Sequence, residues 1–310
     1  MQTSALKNYP AGVPHTVHPE QYSSLGQLFE ESFKRYANQP FSVCMERWMS
    51  YGELDELSAT LGAWLQSKGL APDARVAIML PNIPQFAVTM AAVLRAGYTC
   101  VNVNPLYTAR ELEHQLKDSG ATAIVILENF AQTLEQVIER TSVQHVVLTA
   151  MGDLLGGMYG QWITFAVRNL AKMVPPFKLP LDQGRTVTRF TDALSQGGSR
   201  KLQPSNSTLD SIAFLQYTGG TTGLSKGAVL THRNIVAATL QAEAWFTPAL
   251  GRAGDMSKVN SIAALPLYHI FALTLCLLAI RQGSHLTLIP NPRDMRKFIA
   301  VLKKRPFHML

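Results

Sequence analysis

Apolar residues recur along the first 150 positions with two different periods. Leu25, Leu28, Phe29 and Phe33 are three or four residues apart, which is the spacing of one helix face. Unbroken apolar runs of strand length lie between such helical stretches, at RVAIML (75–80), YTCVNVN (98–104), TAIVIL (122–127) and HVVLT (145–149). Strands that alternate with helices predict a parallel sheet with helices on both faces.

Polar residues indicate where several of these helices begin and end. Ser50 with Glu53, and Thr108 with Glu111, have the spacing of a capping box, in which each residue satisfies a free backbone N–H of the other. Gly120 follows the second of these helical stretches and predicts its C-terminal end. A further helix is predicted over residues 130–140, whereas residues 38–40 predict a break.

The alternation stops between Met151 and Thr208. GMYGQWITFAVRNLAKMVPPFKLP (157–180) mixes apolar and basic residues, so it predicts either an insertion packed on its own domain or a stretch that lies on a membrane surface. The turn-rich SQGGSRKLQPSNST (195–208) predicts a linker. We therefore expect a first α/β subdomain over 1–200, with an irregular insertion near 151–208, and the start of a second subdomain over 201–310.

Alternation resumes in the last third of the chain. Strands are predicted at SIAFLQY (211–217), GAVLT (227–231), VNSIAALP (259–266) and HLTLIP (285–290). A Gly/Thr loop joins the first two, and helices lie between and after the others. FHML (307–310) predicts the opening of one more strand, so the second sheet is expected to be incomplete in this chain. The expected fold class is α/β: two stacked, mostly parallel sheets of βαβ type, flanked by helices.

Composition supports a folded, intracellular protein. The chain is 47% hydrophobic and only 16% charged, which excludes a disordered chain. Cys44, Cys100 and Cys276 are far apart and odd in number, which argues against a disulfide framework or a zinc site and fits a reducing cytosol. The N-terminus lacks the apolar core of a signal peptide. We therefore expect a cytoplasmic location.

The net charge of +7 lies entirely in residues 251–310, which hold nine Lys/Arg and two Asp. Such a basic stretch can meet anionic lipid or nucleic acid, or it can face water or an acidic protein surface. Phe298 is the only aromatic residue among the clustered basic residues of 293–305, whereas binders of single-stranded nucleic acid use several aromatic residues, so no nucleic-acid partner is expected.

Residues 262–280 are long enough to span a bilayer and contain no Lys, Arg, Asp or Glu. Pro266, Tyr268 and His269 interrupt this stretch, and its two halves have different patterns. A buried strand, a loop and a buried helix are therefore predicted in preference to a membrane span.

Candidate chemistry is concentrated in QYTGGTTGLSKGAVLTHRN (216–234). Glycines let the backbone approach a ligand closely, hydroxyls and N–H groups donate hydrogen bonds to phosphate, and Lys226 supplies positive charge. A Walker A loop has Gly-Lys followed by Ser/Thr, and a dinucleotide loop has G-x-G-x-x-G; neither spacing occurs here. The alternative is a mobile surface loop. It is the poorer interpretation, because five hydroxyl or lysine groups occur among three glycines between two predicted strands.

YTGGTTGLSKGAVLTH closely resembles the phosphate-binding signature of the adenylate-forming enzymes, which include acyl-CoA synthetases, luciferases and peptide-synthetase adenylation domains. The usual form is Y-T-S-G-T-T-G-x-P-K-G; here Gly219 replaces the serine and Ser225 the proline. MLPN (79–82), VNVNPLYTARELEHQLKDSGA (101–121) and ALPLYHIFALT (264–274) resemble the same family in order and rough spacing. NVNPLYT and ALPLYHIF look most like bacterial long-chain fatty acid–CoA ligases.

The resemblance implies a two-step reaction. A fatty acid carboxylate attacks the α-phosphorus of ATP, giving an acyl-adenylate and pyrophosphate, and the coenzyme A thiol then displaces AMP. Mg²⁺ is the implied metal, with Thr222 as its ligand, and Tyr268 and His269 are the implied substrate-binding residues, with His269 also in a catalytic role. The implied phosphate-binding residues are Tyr217, Thr218, Gly219, Gly220, Thr221, Thr222, Gly223, Leu224, Ser225, Lys226, Gly227 and Ala228.

Several alternatives stay open. Taken alone, His269 is more typical of a hydrogen-bonded core histidine than of a catalytic one. The family's later motifs have no counterpart before Leu310, so we expect this chain alone to be inactive; a complete, non-catalytic nucleotide- or acyl-binding module is the alternative. A homodimer and peripheral contact with the inner face of a membrane are further expectations, the latter from the resemblance and the substrate class.

Overall fold

The structure is a computed structural model that describes residues 8–181, 184–218, 225–251 and 254–310. In these ranges the α-helices are α1 (Leu25–Arg35), α2 (Tyr51–Gln66), α3 (Pro84–Arg95), α4 (Ala109–Ser119), α5 (Ala131–Glu135), α6 (Gly157–Phe165), α7 (Phe190–Gly197), α8 (His232–Leu250), α9 (Ile270–Gln282) and α10 (Met295–Lys304). The strands are β1 (Pro40–Cys44), β2 (Arg47–Ser50), β3 (Arg75–Met79), β4 (Thr99–Asn102), β5 (Ala123–Leu127), β6 (His145–Thr149), β7 (Thr186–Arg189), β8 (Ile212–Thr218), β9 (Lys226–Thr231), β10 (Asn260–Ala263) and β11 (His285–Leu288).

The larger sheet has the strand order β7-β6-β5-β3-β4-β8-β9 in the described part of the chain. Its strands pair in parallel from β7 to β8, which confirms the predicted parallel α/β sheet. The last pair, β8 with β9, is antiparallel, which agrees with the expectation of a mostly parallel sheet. A parallel pair needs a crossover of a dozen or more residues, and the connection from Thr218 to Lys226 is too short for one.

Helices cover both faces of this sheet because alternate residues of each strand point to opposite sides. Val76 and Ile78 of β3 pack with α3, every residue of which is buried, whereas Ala77 and Met79 pack with Leu112 and Leu116 of α4. The two faces therefore form two hydrophobic cores. This arrangement, with helices on both faces of one sheet, confirms the predicted helix–sheet–helix layering.

The smaller sheet has the order β10-β11-β1-β2 in the described ranges. β1 pairs in parallel with β11 and antiparallel with β2. The two strands β1 and β2 were not predicted, since residues 38–40 predicted only a break. They are four or five residues long, and β1 finds its second partner more than 240 residues later, where no local pattern can signal it.

Both sheets take strands from each side of residue 200. β8 and β9 complete the larger sheet, and β1 and β2 complete the smaller one. The predicted boundary therefore does not separate the two sheets, and as a division between subdomains it stays a prediction. Within 151–208, predicted as irregular, the structure has regular elements: α6, β7 and α7, the last of which packs against α2.

Local helix signals are largely confirmed. Ser50 and Thr108 form the two predicted capping boxes, and Gly120 ends α4 in the left-handed conformation. The single helix predicted over 130–140 is wrong: α5 is five residues long and lies between 3₁₀ turns at Glu128–Phe130 and Ile138–Arg140. None of the described helices is both long and apolar enough to cross a membrane. Residues 262–280 instead form the end of β10, a loop and most of α9, as predicted.

The C-terminal residues return to the smaller sheet. Met309 forms a parallel bridge with Ser261, and its carbonyl accepts a 2.9 Å hydrogen bond from the Ile262 N–H. This single bridge lies where the predicted opening of one more strand would pair with β10. Two residues of the basic stretch, Lys304 and Arg305, bond the Glu46 carboxylate at 2.8 and 2.9 Å, so part of that charge is balanced within the chain.

Candidate functional site

The predicted phosphate loop joins β8 to β9 at the carboxyl end of the larger sheet. Thr218 is the last residue of β8, and its partner across the antiparallel ladder is Lys226, the first residue of β9. Both side chains are exposed. The hydroxyl and ammonium groups therefore lie at one edge, where open α/β sheets bind their ligands. The remaining loop residues predicted to bind phosphate, Gly219, Gly220, Thr221, Thr222, Gly223 and Leu224, lie outside the described residues.

Tyr217 is the residue of β8 before Thr218. Its ring is buried, and its hydroxyl donates a 2.5 Å hydrogen bond to the Asp118 carboxylate. Burial and the nearby Asp118 raise the pKa of Tyr217, so the hydroxyl keeps its proton and remains a donor. Gly227 leaves room for the ring, since a Cβ there would be 2.9 Å from the Tyr217 Cζ. Tyr217 and Gly227 thus shape the base of the loop.

Helix α4 and the residues before it support the far end of the loop. The His114 Nε2 is 2.9 Å from the Ser225 carbonyl oxygen and donates to it. Burial raises the pKa of Tyr107, and a hydrogen bond with the Ser225 side chain opposes that shift. Ala228, also predicted to bind phosphate, is exposed and is the third residue of β9, opposite Gln216. The segment 101–121 therefore contacts Tyr217 and Ser225, described residues on the two sides of the predicted loop.

A row of buried side-chain amides connects one helix, two strands and one loop at this edge. Gln115 Nε2 donates to the Asn102 carbonyl at 2.8 Å, and Asn102 Nδ2 donates to Gln216 Oε1 at 3.0 Å. Gln216 Nε2 in turn donates to the main-chain carbonyl of Tyr268 at 2.9 Å. These bonds tie α4, β4 and β8 to the loop that carries the second predicted site.

Asn82 fixes the same loop from the other side. Its Nδ2 donates to the carbonyls of Ala263 and Leu265 at 2.8 and 2.9 Å, and its Oδ1 accepts from the Leu267 N–H at 2.8 Å. Asn82 is buried, so no water replaces these bonds. One side chain after β3 thereby holds three main-chain groups of the loop 263–267.

Tyr268 and His269 follow directly at the start of α9. Their ring centroids are 4.5 Å apart, and the His269 side chain is exposed although partial burial lowers its pKa. Its ring is therefore neutral near pH 7. The exposure contradicts the alternative of a core histidine. The predicted pair thus lies at the surface, linked to β8 through the Gln216 bond.

The chain topology explains why these segments meet. In the order β5-β3-β4, the connection after β3 leads to β4 on one side, whereas the connection after β5 leads to β6 on the other. Such a reversal opens a crevice at the carboxyl ends of β3 and β5. Asn82 follows β3 and borders that crevice, whereas Asn104 to Thr108 follow β4, between β3 and β8.

The amides at this edge were not predicted as site residues. Asn82, Asn102 and Gln216 each lie at or just after the end of an apolar strand run, where a polar residue has no packing reason to be buried. That position is the signal that the sequence offered. In the described part of the chain, no group of three His, Cys, Asp or Glu side chains is arranged to hold a metal ion.

Sequence comparison finds one family over most of the chain. The family described as "AMP-binding enzyme" matches residues 29–310. A long-chain-fatty-acid–CoA ligase of Salmonella typhimurium is 48% identical over 304 residues, covering 97% of this chain and 53% of the relative. The ligase of the same name from Bacillus subtilis is 30% identical over 305 residues, covering 97% and 52%. The chain thus spans about half the length of these curated relatives.

Solved structures show the same fold. A long-chain-fatty-acid-CoA ligase (FadD1) from Archaeoglobus fulgidus matches with a TM-score of 0.72 and 21% identity, over 96% of this chain and 52% of that chain. The N-terminal domain of FACL13 from Mycobacterium tuberculosis matches with a TM-score of 0.63 and 19% identity, over 91% and 61%. These likenesses concern the backbone architecture.

Proposed function

The chain belongs to the AMP-binding enzyme family, and from that premise we propose that it supplies the phosphate-binding part of a long-chain fatty acid–CoA ligase. This activity is the one stated in the names of relatives that are 42–48% identical to the chain. The substrates are a long-chain fatty acid, ATP and coenzyme A. Because the chain spans about half of those relatives, the 310 residues alone are proposed not to turn over.

The observation that carries this proposal is the pairing of Thr218 with Lys226 at the carboxyl end of the larger sheet. A hydroxyl donor and an ammonium group are the groups that bind phosphate oxygens, and the loop between them supplies further N–H donors. The exposed position of both side chains leaves them free to reach a ligand. Lys226 is the only Lys or Arg in the stretch 216–228.

In the first step a carboxylate oxygen of the fatty acid attacks the α-phosphorus of ATP. The bond from that phosphorus to the β-phosphate bridging oxygen breaks, giving an acyl-adenylate and pyrophosphate. Lys226 and Thr218 stabilise the negative charge that develops on the leaving pyrophosphate. In the second step the coenzyme A thiol attacks the acyl carbonyl carbon, loses its proton and releases AMP.

Tyr268 and His269 are proposed to position the carboxylate. The neutral His269 ring can donate a hydrogen bond without competing with the carboxylate for a proton. Ile270 and Phe271, which follow it at the start of α9, are exposed and offer apolar surface to the alkyl chain. Gln216 holds the Tyr268 carbonyl, so the carboxylate end and the phosphate end keep a fixed separation.

Mg²⁺ commonly binds through one or two protein side chains together with substrate phosphates, so a phosphate site with few protein ligands can hold it. When bound, Mg²⁺ neutralises phosphate charge in the transfer step. Thr222, which lies outside the described residues, is the proposed protein ligand. The described hydroxyl and ammonium at Thr218 and Lys226 would bind the phosphate oxygens that the metal leaves free.

The test is fatty-acid-dependent pyrophosphate release by the natural protein that carries this chain, measured with ATP, Mg²⁺ and fatty acids of graded length. We expect Lys226→Ala to lower the rate by roughly 10²–10³-fold, the loss usual for one preorganised charge-stabilising group. Lys201→Ala, which removes an exposed lysine from the connection before β8, is the matched control and should leave the rate unchanged.

Three results distinguish the alternatives. Release that needs both fatty acid and Lys226 supports the ligase. ATP binding without any release supports a non-catalytic nucleotide- or acyl-binding module. Release by the 310-residue chain alone overturns the proposal that these residues are inactive by themselves.

We further propose peripheral membrane contact on the inner face of a membrane, since the substrate is a fatty acid, and a homodimer as the oligomeric state. Light scattering of the purified protein measures the second: a monomer mass at micromolar concentration contradicts it. The membrane contact has a structural candidate, described next.

A further inference from the structure

One segment of the chain exposes apolar side chains to an unusual degree. It comprises α6, the π-helical turn Ala166–Leu170 and the extended residues up to 181, and is here named the α6 segment. Gly160 is the only buried residue of its two helical parts in the described structure. The exposed large apolar side chains are Met158 (86%), Tyr159 (45%), Trp162 (59%), Phe165 (54%), Leu170 (66%), Met173 (53%) and Leu181 (69%).

Polar contacts hold this segment firmly to the domain. Arg168 forms a two-pronged ion pair with Glu128, with nitrogen–oxygen distances of 2.7 and 2.6 Å, and Arg189 bonds the same carboxylate at 2.9 Å. Asn129 Nδ2 donates to the Met173 carbonyl at 3.0 Å. The Glu128 side chain is only 2% exposed, so the pair is largely shielded from water. The apolar side chains are therefore presented outward from a fixed base.

The close approach of two glycines contributes to this base. A Cβ on Gly152 would be 1.9 Å from the Gly160 carbonyl oxygen, and one on Gly160 would be 2.3 Å from that of Gly152. The two backbones are therefore in direct contact where α6 meets the loop after β6, and no large side chain packs between them. The contact leaves Met158, Trp162 and Phe165 out of the core.

The charged side chains within this segment are of one sign. Residues 154–181 contain Arg168, Lys172 and Lys178 and no Asp or Glu. Lys172 and Lys178 are exposed, and Lys172 adopts a positive φ of 51° where the π-helical turn ends. Exposed Trp, Tyr, Phe and Met side chains beside basic residues are the composition of helices that lie in the headgroup region of a membrane.

The position of the segment adds a functional reason. α6 leaves from the carboxyl end of β6, and Glu128 and Arg189 lie at the carboxyl ends of β5 and β7. The phosphate loop lies at the same edge of the same sheet, on β8. Four strand spacings separate β6 from β8, which is roughly 19 Å at 4.8 Å per strand. A membrane on the α6 segment would therefore lie beside the edge that carries the phosphate loop.

We propose that the α6 segment docks the protein on an anionic lipid surface, with Trp162, Phe165 and Leu170 inserted among the acyl chains and Lys172 and Lys178 on the lipid phosphates. The basic residues alone would suffice to bind an acidic protein partner. Such a partner would not account for the many exposed aromatic and methionine side chains. A second copy of the chain would bring the same basic charges against each other. Both are outcomes that the experiment separates from lipid docking.

The experiment is sedimentation of the full chain with vesicles of phosphatidylcholine alone or mixed with phosphatidylglycerol. Binding is expected to require phosphatidylglycerol and to weaken with salt. The apolar variant, Trp162→Gln with Phe165→Gln and Leu170→Gln, and the basic variant, Lys172→Gln with Lys178→Gln, should each lower vesicle partitioning by about tenfold or more. The matched control changes Met295 and Ile299 of the exposed helix α10 to Gln, and should bind like the parent chain.

A second readout reports insertion directly. The chain has four tryptophans, and lipids brominated on their acyl chains should quench the fluorescence of Trp162. The Trp162→Phe variant keeps an aromatic side chain, so it should bind vesicles while that quenching is lost. Unchanged thermal unfolding of every variant shows that the fold is intact.

Four results overturn the proposal. The first three are no binding to the anionic vesicles, equal binding to neutral vesicles, and binding that the apolar and basic variants leave intact. The fourth is self-association of the parent chain that the apolar and basic variants abolish and the control variant does not. Pyrophosphate release measured without vesicles tests the ligase separately. A failed vesicle assay therefore leaves the proposed activity standing, and a failed ligase assay leaves the docking surface standing.

Discussion

Gln216 and Tyr268 are joined by a hydrogen bond across the edge of the larger sheet. The Gln216 side-chain amide donates at 2.9 Å to the Tyr268 main-chain carbonyl, and its Oε1 accepts from Asn102 at 3.0 Å. Gln216 is two residues before Thr218, and Tyr268 is beside His269. One buried amide therefore links the strand that ends at Thr218 to the loop that precedes His269.

Replacing Gln216 by Leu should destabilise the chain. The substitution keeps much of the side-chain volume but leaves the Tyr268 carbonyl and the Asn102 amide without partners, which costs about 1–3 kcal/mol for each buried group left unsatisfied. Urea denaturation measures the free energy of unfolding. Gln136→Leu, at an exposed position, is the control and should change it by less than about 0.5 kcal/mol. Equal stability of the two variants would show that the Gln216 bonds contribute nothing.

Asn82→Asp should be more harmful than its similar shape suggests. Asp keeps an acceptor for the Leu267 N–H but replaces the amide donor by a carboxylate that faces the carbonyls of Ala263 and Leu265. We expect a loss of roughly 2–4 kcal/mol in the free energy of unfolding, because a buried charge then faces two acceptors. The loss should shrink at acidic pH as the carboxylate is protonated. A loss that does not depend on pH contradicts this interpretation.

Gly227→Ala should strain the base of the phosphate loop. The new methyl group would be 2.9 Å from Cζ and 3.0 Å from Cε2 of Tyr217, so the ring or β9 must shift, at a cost of about 1–3 kcal/mol. Gly251→Ala is the control, since that position has open space. In a Tyr217→Leu background the cost of Gly227→Ala should fall, which a double-mutant cycle measures. An undiminished cost would place the strain elsewhere.

Stability should fall on acidification through His232. The ring is buried, and its Nδ1 accepts a 3.0 Å hydrogen bond from the Leu25 N–H, so it folds in the neutral form. Burial lowers the pKa of His232 from 6.5 to about 4. Above pH 6.5 this contribution to stability is complete; between pH 6.5 and about 4 only the unfolded state binds the proton, and stability falls by about 1.4 kcal/mol per pH unit.

The measurement for His232 is the free energy of unfolding at pH 7.5, 6.0 and 5.0. His232→Gln should flatten the dependence on pH, whereas His18→Gln, which changes an exposed ring, should not. Equal slopes for His232→Gln and the parent chain would assign the acid sensitivity to other groups.

The sequence by itself determined the elements whose formation depends only on neighbouring residues. Apolar runs of strand length between helical stretches fixed β3, β4, β5, β6 and β8, since a buried parallel strand needs only its own residues to be apolar. Ser50 and Thr108 fixed the starts of α2 and α4, because a capping box is complete within four residues. The loop 216–234 identified the family from residue types alone.

Tertiary structure decided what depends on distant partners. β1 and β2 exist because β11 pairs with β1 across more than 240 residues, and a short strand has no signal without that partner. Asn82, Asn102 and Gln216 became site residues only when the chain topology brought the ends of β3, β4 and β8 to one edge. The sequence showed the α6 segment to be apolar and basic, but only the packing of Gly152 on Gly160 and of Arg168 on Glu128 determined that its apolar side chains face outward.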